Sequence, residues 1–180
     1  MRCFLAINLS DEIKDYLEDL ILKIGKSTPY LRVKWVEREN LHLTLGFIEN
    51  IDESTLKKLS TDLDDLSLPE NLILCLGELG LFPNDIKPRI VKISLHDTEK
   101  KLGLINDQIK QIFKQNNLPI DEKPFSPHIT LGRIKTASAW VRLEKTEPRC
   151  FNVVSIDLMK SKLTPSGPTY SCLKRVALNA

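Results

Sequence analysis

His-Leu-Thr-Leu-Gly, at residues 42–46, is repeated as His-Ile-Thr-Leu-Gly at residues 128–132. The chain of 180 residues has only three histidines, and two of them stand in this same five-residue context. One copy lies in each half of the chain. The spacing predicts two similar structural units rather than a solenoid, whose repeats are shorter and more numerous.

The alternation of polar and apolar residues in each copy is typical of a half-buried β-strand. Alternate strand residues point to the same face, so His42 is predicted to lie beside Thr44, and His128 beside Thr130. The intervening residues are predicted to point into a core: Leu41, Leu43, Leu45 and Phe47 in the first copy, and Ile129 and Leu131 in the second. A cleft between two such strands would hold two imidazoles and two hydroxyls, a set that suits acid–base chemistry at a phosphate.

Helical and strand patterns are mixed along the chain. Ser10 is a predicted helix cap, because the acidic residues Asp11 and Glu12 that follow it favour the first turn of a helix. Helices are predicted over about residues 11–25, 54–66 and 97–116, and strands over residues 2–8, 32–36, 41–48, 71–79, 89–95, 128–134, 151–163 and 170–178. No linker-like stretch divides these elements, so residues 1–180 are predicted to form one domain of two similar lobes.

The composition is that of an ordinary globular protein, with 42% hydrophobic and 28% charged residues. A net charge of +2 permits binding to a polyanion but lacks the basic excess of a large nucleic-acid surface, so a phosphate-bearing end is the expected target. The four scattered cysteines are typical of core residues in a reducing compartment. The N-terminal apolar run is too short for a membrane span or signal-peptide core, and a cytoplasmic location is therefore expected.

Several segments besides the repeat carry a family resemblance. They are Arg-Cys-Phe-Leu-Ala-Ile at residues 2–7, Val-Lys-Trp at 33–35, Asn-Leu-His-Leu-Thr-Leu at 40–45, Leu-Gly-Leu-Phe-Pro at 79–83, Phe-Ser-Pro-His-Ile-Thr-Leu-Gly-Arg at 125–133, Lys-Ser-Lys-Leu at 160–163 and Gly-Pro-Thr-Tyr at 167–170. Together they resemble the two-histidine (2H) phosphoesterase superfamily, and within it the RNA 2',3'-cyclic phosphodiesterase family, also called 2'-5' RNA ligases. The resemblance implies an α+β fold of two pseudo-symmetric lobes, each an antiparallel sheet with outer helices, around a central cleft.

The resemblance also implies a reaction, the hydrolysis of RNA 2',3'-cyclic phosphate ends to 2'-phosphomonoesters, with reversible 2'-5' RNA ligation. It makes His42 the proton donor to the departing 3' oxygen and His128 the proton acceptor that activates water. Thr44 and Thr130 can donate hydrogen bonds to the phosphate, and the resemblance adds Arg133 as a phosphate contact. No metal or cofactor is then needed. The expected partner is RNA with a 2',3'-cyclic phosphate terminus, transfer-RNA fragments included; no membrane partner is expected, and the protein is expected to be a monomer.

Strand parity conflicts with a phosphate-binding role for Arg133. Because Arg133 is five residues after His128, a regular strand would place the two side chains on opposite faces. Arg133 can reach the histidine face only if Gly132 introduces a bulge or the strand ends there.

Two other functions fit the same residues. A zinc site would use the histidines as ligands, but neither motif supplies a second His, Cys or carboxylate two to four positions further on. A non-catalytic RNA-end-binding module would hold a phosphate without cleaving it, a task for which Arg or Lys is better suited than two titrating imidazoles. Phe82 and Tyr170 could stack on bases, whereas Trp35 is expected to be partly core and His96 to be exposed at a strand–helix junction.

Overall fold

The structure, a computed structural model, describes residues 1–135, 145–165 and 167–178. In this part of the chain the elements follow the order β1 (Arg2–Asn8), α1 (Asp11–Ser27), β2 (Val33–Trp35), β3 (His42–Ile48), α2 (Glu53–Asp62), β4 (Leu72–Phe82), β5 (Ile90–His96), α3 (Lys101–Gln115), β6 (His128–Ile134), β7 (Cys150–Val153), β8 (Ser155–Leu163) and β9 (Pro168–Ala177). Two 3-10 turns lie at Arg38–Asn40 and Leu63–Asp65. The predicted α+β class is confirmed.

The strands form one antiparallel sheet in the order β7-β4-β5-β6-β3-β1-β8-β9, with β2 also paired to β6. The two motif strands, β3 and β6, are neighbours at its centre. The unit β1-α1-β3 on one side corresponds to β5-α3-β6 on the other, so the two predicted lobes are present. Their sheets are continuous, because β3 pairs directly with β6.

The sheet is strongly curled. Val153, at the end of β7, pairs with Leu72 of β4, while Ser155, at the start of β8, pairs with Ala177 of β9. These two residues flank Val154 and so lie within about 7 Å of each other, although their strands are far apart in the sheet order. The prediction of one strand over residues 151–163 is therefore wrong, since the chain passes at Val154 from β7, at one end of the sheet, to β8, next to the other end.

The helices cover one face of the sheet. Helix α1 begins as predicted, with the Ser10 hydroxyl accepting a hydrogen bond from the Ile13 amide. The helices α1 and α3 each bury an apolar stripe in the core: Ile13, Leu17, Leu20, Ile21 and Ile24 of α1, and Leu102, Ile105, Ile109, Ile112 and Phe113 of α3. The opposite face of the sheet is thus left for the polar residues of the motif strands. No helix in the described ranges is both long and apolar enough to cross a membrane.

The cysteines differ from the prediction that all are core residues. Cys3 is buried in β1, as expected. Cys75 and Cys150 instead form a disulfide between the paired strands β4 and β7, and Cys172 is exposed on β9. Sequence spacing could not reveal this pairing, because the two disulfide cysteines are separated by 75 residues and meet only through the curled sheet.

Candidate active site

The register between β3 and β6 brings the two motifs together. Leu43 pairs with Ile129, and both side chains are buried on the helix-covered face. Extending this antiparallel register by one residue in each direction pairs each motif's histidine with the other motif's threonine: His42 with Thr130, and Thr44 with His128. Residues directly opposite in a sheet have Cβ atoms about 5 Å apart. The four residues predicted from the repeat therefore form one cluster on the open face of the sheet.

Both motif strands contain a β-bulge immediately after the threonine. In β3, Thr44 pairs with Ala6 and Gly46 with Leu5, so Leu45 is an extra residue in the ladder. The same irregularity occurs in β6, where Leu131 lies between two residues that pair with consecutive positions of β5. Each bulge points a leucine and the following glycine towards the helices, and the next side chain returns to the open face.

The glycines are required because there is no room for a side chain. A Cβ added to Gly46 would lie 2.9 Å from the Phe113 ring of α3. A Cβ added to Gly132 would lie 2.6 Å from Trp35 and from Val33. Both distances are too short for carbon–carbon contact, so the glycine that ends each repeat permits the sheet to pack closely on its surroundings.

The bulges determine where the residue after each glycine points. Arg133 is exposed on the same face as His128 and Thr130, which resolves the parity conflict in favour of a bulge. Phe47 holds the equivalent position in the first motif, and its predicted place in the core is wrong. It is 48% exposed and stacks on the ring of Phe4, with centroids 5.8 Å apart. Strand alternation could not predict this orientation, because the bulge shifts the pattern by one residue.

The two imidazoles are held in the same way. The Nδ1–H of His42 donates to the carbonyl oxygen of Asn40 at 2.7 Å, and that of His128 donates to the carbonyl oxygen of Ser126 at 2.8 Å. A carbonyl can only accept, so each Nδ1 carries the hydrogen. Each Nε2 is therefore left for chemistry on the open face, and in a neutral ring it is a proton acceptor.

His42 is enclosed more tightly than its partner. Its ring lies 4.8 Å from Phe4 and edge-on to Tyr170 at 5.4 Å, and its Nε2 is 3.0 Å from the Thr44 hydroxyl. Burial lowers the pKa of His42 below 6.5, the hydrogen bond to Asn40 opposes this shift, and the charge of Lys14 adds to it. Without a bound anion, the ring thus favours its neutral form.

Asn40 is a supporting residue that the motif analysis missed. Its side chain is buried, and its amide donates to the carbonyl oxygen of Pro168 at 3.1 Å and to Glu37 at 3.4 Å. These bonds tie the approach to β3 to the start of β9. The Asn40 carbonyl that orients His42 is consequently fixed in place.

A cavity of about 280 Å³ opens beside His42. Its walls come from β1, the segment before β3, and the β8–β9 hairpin, and they include Phe4, Asn8 and Tyr170. Burial raises the pKa of the Tyr170 hydroxyl, while the charges of Arg133 and Arg2 lower it. Arg133 and Arg2 thus lie close enough to act on the Tyr170 side of the cavity, whereas Glu37 and Glu39 line the cavity as well, so its charge is mixed.

The remaining candidates lie apart from this cluster. His96 is exposed at the end of β5, as predicted, and Trp35 is half-buried against Gly25 of α1. Phe82 is exposed at the end of β4. Within the described ranges, no three His, Cys, Asp or Glu side chains converge as a metal site would require.

Comparison with known proteins identifies the family. A model of the LigT like phosphoesterase family matches residues 7–91 and 93–170, which include both motifs. The chain belongs to this family. The resemblance inferred from the repeat is thus confirmed at the level of the family.

Relatives of the LigT-like phosphoesterase are similar over nearly their full length. The RNA 2',3'-cyclic phosphodiesterase of Methanocaldococcus jannaschii is 32% identical, over 97% of this chain and 99% of that protein. The enzyme of the same name from Thermotoga maritima is 30% identical, over 96% of this chain and 93% of that protein. The crystal structure of E. coli LigT complexed with 3'-AMP superposes with a TM-score of 0.84 at 26% identity, covering 99% of this chain and 98% of that one.

Proposed function

We propose that this LigT-like protein is an RNA 2',3'-cyclic phosphodiesterase that produces 2'-phosphomonoesters by metal-independent acid–base catalysis, and that it also catalyses 2'-5' RNA ligation. One observation carries the proposal. Both histidines donate Nδ1–H to a backbone carbonyl two residues earlier, so both Nε2 atoms are presented to one open face beside threonine hydroxyls. Two matched imidazoles can act as a pair, one removing a proton while the other supplies one.

The reaction requires one bond to form and one to break at phosphorus. Nε2 of neutral His128 accepts a proton from water as the water oxygen bonds to phosphorus. The bond from phosphorus to the ribose O3' breaks, and Nε2 of protonated His42 donates a proton to that oxygen. The phosphate remains on O2', and exchange with solvent returns both rings to their starting states. The negative phosphate favours the protonated form of His42, which offsets the effect of burial on its pKa.

Hydrogen-bond donors on the same face stabilise the charge that develops on phosphorus. In the free protein the Thr44 hydroxyl donates to the neutral Nε2 of His42 at 3.0 Å; when that nitrogen is protonated and its hydrogen is directed at O3', the Thr44 hydroxyl hydrogen becomes available for a non-bridging oxygen. Thr130 occupies the equivalent position in β6. Arg133 adds a planar guanidinium, which can donate two parallel hydrogen bonds to one phosphate.

The first motif supplies an aromatic surface where the second supplies Arg133. Phe47 is half exposed on the open face, next to Phe4 and on the side of His42. A nucleobase gains about 1–3 kcal/mol by stacking on such a ring, whatever its sequence. The terminal nucleoside is therefore assigned to the β1–β3 side of the site. The substrate is any RNA carrying this end, transfer-RNA fragments included.

The location and assembly of the protein form part of the same proposal. Because the site is built entirely within one chain, the protein is proposed to act as a monomer. Its proposed location is the cytoplasm. Cys75 and Cys150 form a disulfide in the structure, a bond that is rare in proteins of a reducing cytoplasm.

The test is hydrolysis of a short RNA ending in a 2',3'-cyclic phosphate, in the presence of EDTA. Wild-type protein should convert it to a phosphomonoester. His42→Ala and His128→Ala should each lower the rate by about a hundredfold or more, since general acid–base catalysis contributes about 10²–10⁴-fold. His96→Ala is the matched control and should retain full activity. Tight binding of the RNA without turnover by wild-type protein would instead favour the RNA-end-binding module.

A further inference from the structure

The open face of the sheet continues past His128 onto β5 and β4. Lys92 of β5 pairs with Thr130 on one side and with Gly80 of β4 on the other. Its neighbours Val91 and Ile93 are buried on the helix-covered face, so Lys92 points to the open face. The sheet order therefore places His42 on β3, His128 on the neighbouring β6, and Lys92 on β5 beyond it.

Lys92 has room to contact a ligand. Its aliphatic chain lies over Gly80, where an added Cβ would make only an ordinary contact of 3.8 Å with Lys92 Cε. No carboxylate in the described ranges pairs with its ammonium group. Ser94, two positions further along the same face of this strand, is already occupied, because its hydroxyl accepts from the Glu78 amide at 2.9 Å and donates to the Glu78 carbonyl at 3.2 Å. Lys92 is therefore the cation that β5 offers here.

Phe82 provides an aromatic ring on the same part of the face. It lies two positions after Gly80 on β4, pairs with Ile90, and is 47% exposed. Diagonal neighbours in a sheet are about 7–8 Å apart, a distance that long and aromatic side chains span. A cation beside an exposed aromatic ring is the combination that binds single-stranded nucleic acid, through its phosphates and by base stacking.

The position of this pair relative to the histidines indicates which strand it binds. If His42 protonates the departing O3', the terminal nucleoside lies on the β1–β3 side, and the nucleophile enters from the side of His128. Water needs neither a cation nor an aromatic ring. We propose that Lys92 and Phe82 form a subsite for the 5' end of a second RNA strand, whose 5'-hydroxyl takes the place of water. This inference rests on the proposed function and names its second substrate.

The chemistry balances without any further reactant. The 5'-hydroxyl oxygen bonds to phosphorus and its proton passes to Nε2 of His128. The bond from phosphorus to O3' breaks, and O3' receives a proton from Nε2 of His42. The product is a 2'-5' phosphodiester with a free 3'-hydroxyl. Lys92 would contact the first phosphate of the incoming strand, and Phe82 would stack on one of its bases.

The experiment measures hydrolysis and ligation in the same mixtures, using a cyclic-phosphate-ended RNA and an excess of a 5'-hydroxyl RNA of six nucleotides. For Lys92→Met, we expect the KM for the 5'-hydroxyl strand to rise about tenfold, while hydrolysis without that strand changes less than twofold. Phe82→Leu should raise the same KM about fivefold, and Lys92→Arg should retain most of the affinity. Lys23→Met, which removes an exposed lysine of α1, is the charge-matched control and should alter neither reaction.

A second readout covers the case of slow ligation. The 5'-hydroxyl RNA should then inhibit hydrolysis by excluding water, and Lys92→Met should relieve the inhibition. Equal losses of hydrolysis and ligation in Lys92→Met would contradict the proposal, because Lys92 would then serve the reacting phosphate. Wild-type hydrolysis with neither ligation nor inhibition would also contradict it. Absence of wild-type hydrolysis would overturn the proposed function itself.

Discussion

Leu43 of β3 pairs with Ile129 of β6 at the centre of the sheet, and this pairing relates two copies of one motif across it. Each histidine consequently lies opposite the threonine of the other copy. The symmetry ends after the bulges, where the first motif presents Phe47 and the second presents Arg133. The two histidines that transfer protons are thus related by symmetry. Beyond the bulges the two sides of the site differ, because Phe47 suits a nucleoside and Arg133 suits a phosphate.

Gly132→Ala should be both less stable and less active than the wild type. The new Cβ would lie 2.6 Å from Trp35 and Val33, so the bulge must shift, at a cost of about 1–3 kcal/mol for overpacking. Because the bulge directs Arg133 to the open face, the shift should also lower kcat. Urea unfolding and steady-state kinetics measure the two effects.

Gly103→Ala is the control for that substitution. Gly103 lies in α3 with no atom within 4 Å of an added Cβ. Alanine should therefore stabilise the protein, by about 0.5–1 kcal/mol, through its higher helix propensity. A Gly132→Ala protein with wild-type stability and kcat would show that the close packing at the bulge does not matter.

Arg133→Met should lower kcat by about 10²–10³-fold, the usual effect of removing one donor to a developing oxyanion. Arg133→Lys should recover only part of the loss, since an ammonium group keeps the charge but cannot make two parallel hydrogen bonds. Single-turnover rates at saturating RNA give the comparison. Equal rates for the Met and Lys variants would argue against a bidentate contact with the phosphate.

The pKa of His42 should be below 6.5 in the free protein and should rise in Lys14→Gln. Burial lowers this pKa, and the nearby positive charge of Lys14 lowers it further. The proposed acid acts only when it is protonated. A higher pKa therefore increases the protonated fraction of His42 at pH values above the pKa, and leaves that fraction unchanged at pH values well below it. The ratio of kcat/KM at pH 8 to that at a pH below the His42 pKa titrated for the wild type should consequently increase in Lys14→Gln.

NMR titration of the His42 ring measures the pKa directly, and Lys23→Gln on the same helix serves as the control. The ratio of two kcat/KM values removes any uniform loss of RNA binding caused by the lost charge. If wild-type His42 titrated above 6.5, or if the ratio were unchanged in Lys14→Gln, burial and the charge of Lys14 would not be what sets the pKa of His42.

The sequence alone predicts the four motif residues but not their neighbours. Strand alternation suffices for His42, Thr44, His128 and Thr130, because all four precede the bulges. The same rule misplaced Phe47 and left Arg133 undecided, since a bulge depends on packing against distant helices. The family resemblance placed Arg133 on the correct, open face of the sheet. The bulge in the register between β5 and β6 explains why Arg133 lies there.

Longer-range features escaped prediction for a related reason. The break at Val154 and the pairing of Cys75 with Cys150 both follow from the curling of the sheet. Curling depends on contacts between the two ends of the sheet, which no local pattern encodes. The helices predicted over about residues 11–25 and 97–116, by contrast, rest on local patterns, and they overlap the observed α1 and α3.

Arg175→Met should lower the free energy of unfolding by about 1–2 kcal/mol at pH 7, because the buried Asp157 carboxylate loses two charge-assisted hydrogen bonds; the 64% exposure of the Arg175 side chain keeps the loss below that of a fully buried ion pair. Asp157 is fully buried, and Arg175 donates two hydrogen bonds to it, at 2.9 and 3.0 Å. Burial raises the pKa of Asp157, but hydrogen bonds from Arg175, Ser155 and Asn8 outweigh it, and the net shift is downward.

That lowered pKa also predicts the pH dependence of stability. The stabilisation is complete above the unfolded carboxyl pKa of about 4 and is lost as pH falls towards the folded value. Urea unfolding between pH 7 and pH 3 should thus show a smaller pH dependence in Arg175→Met. Lys57→Met, which removes an exposed ion pair with Glu53, should behave as wild type. Equal stability of the Arg175 variant and the wild type would contradict this account.

The regiochemistry of the product tests the central claim most directly. Purified protein would be incubated with EDTA and a short RNA ending in a 2',3'-cyclic phosphate, and the 2'- and 3'-phosphomonoester products would be separated. The roles given to His42 and His128 predict a 2'-phosphate only. A 3'-phosphate product would contradict the assignment of His42 as the acid that releases O3', and no product at all would contradict the proposed reaction.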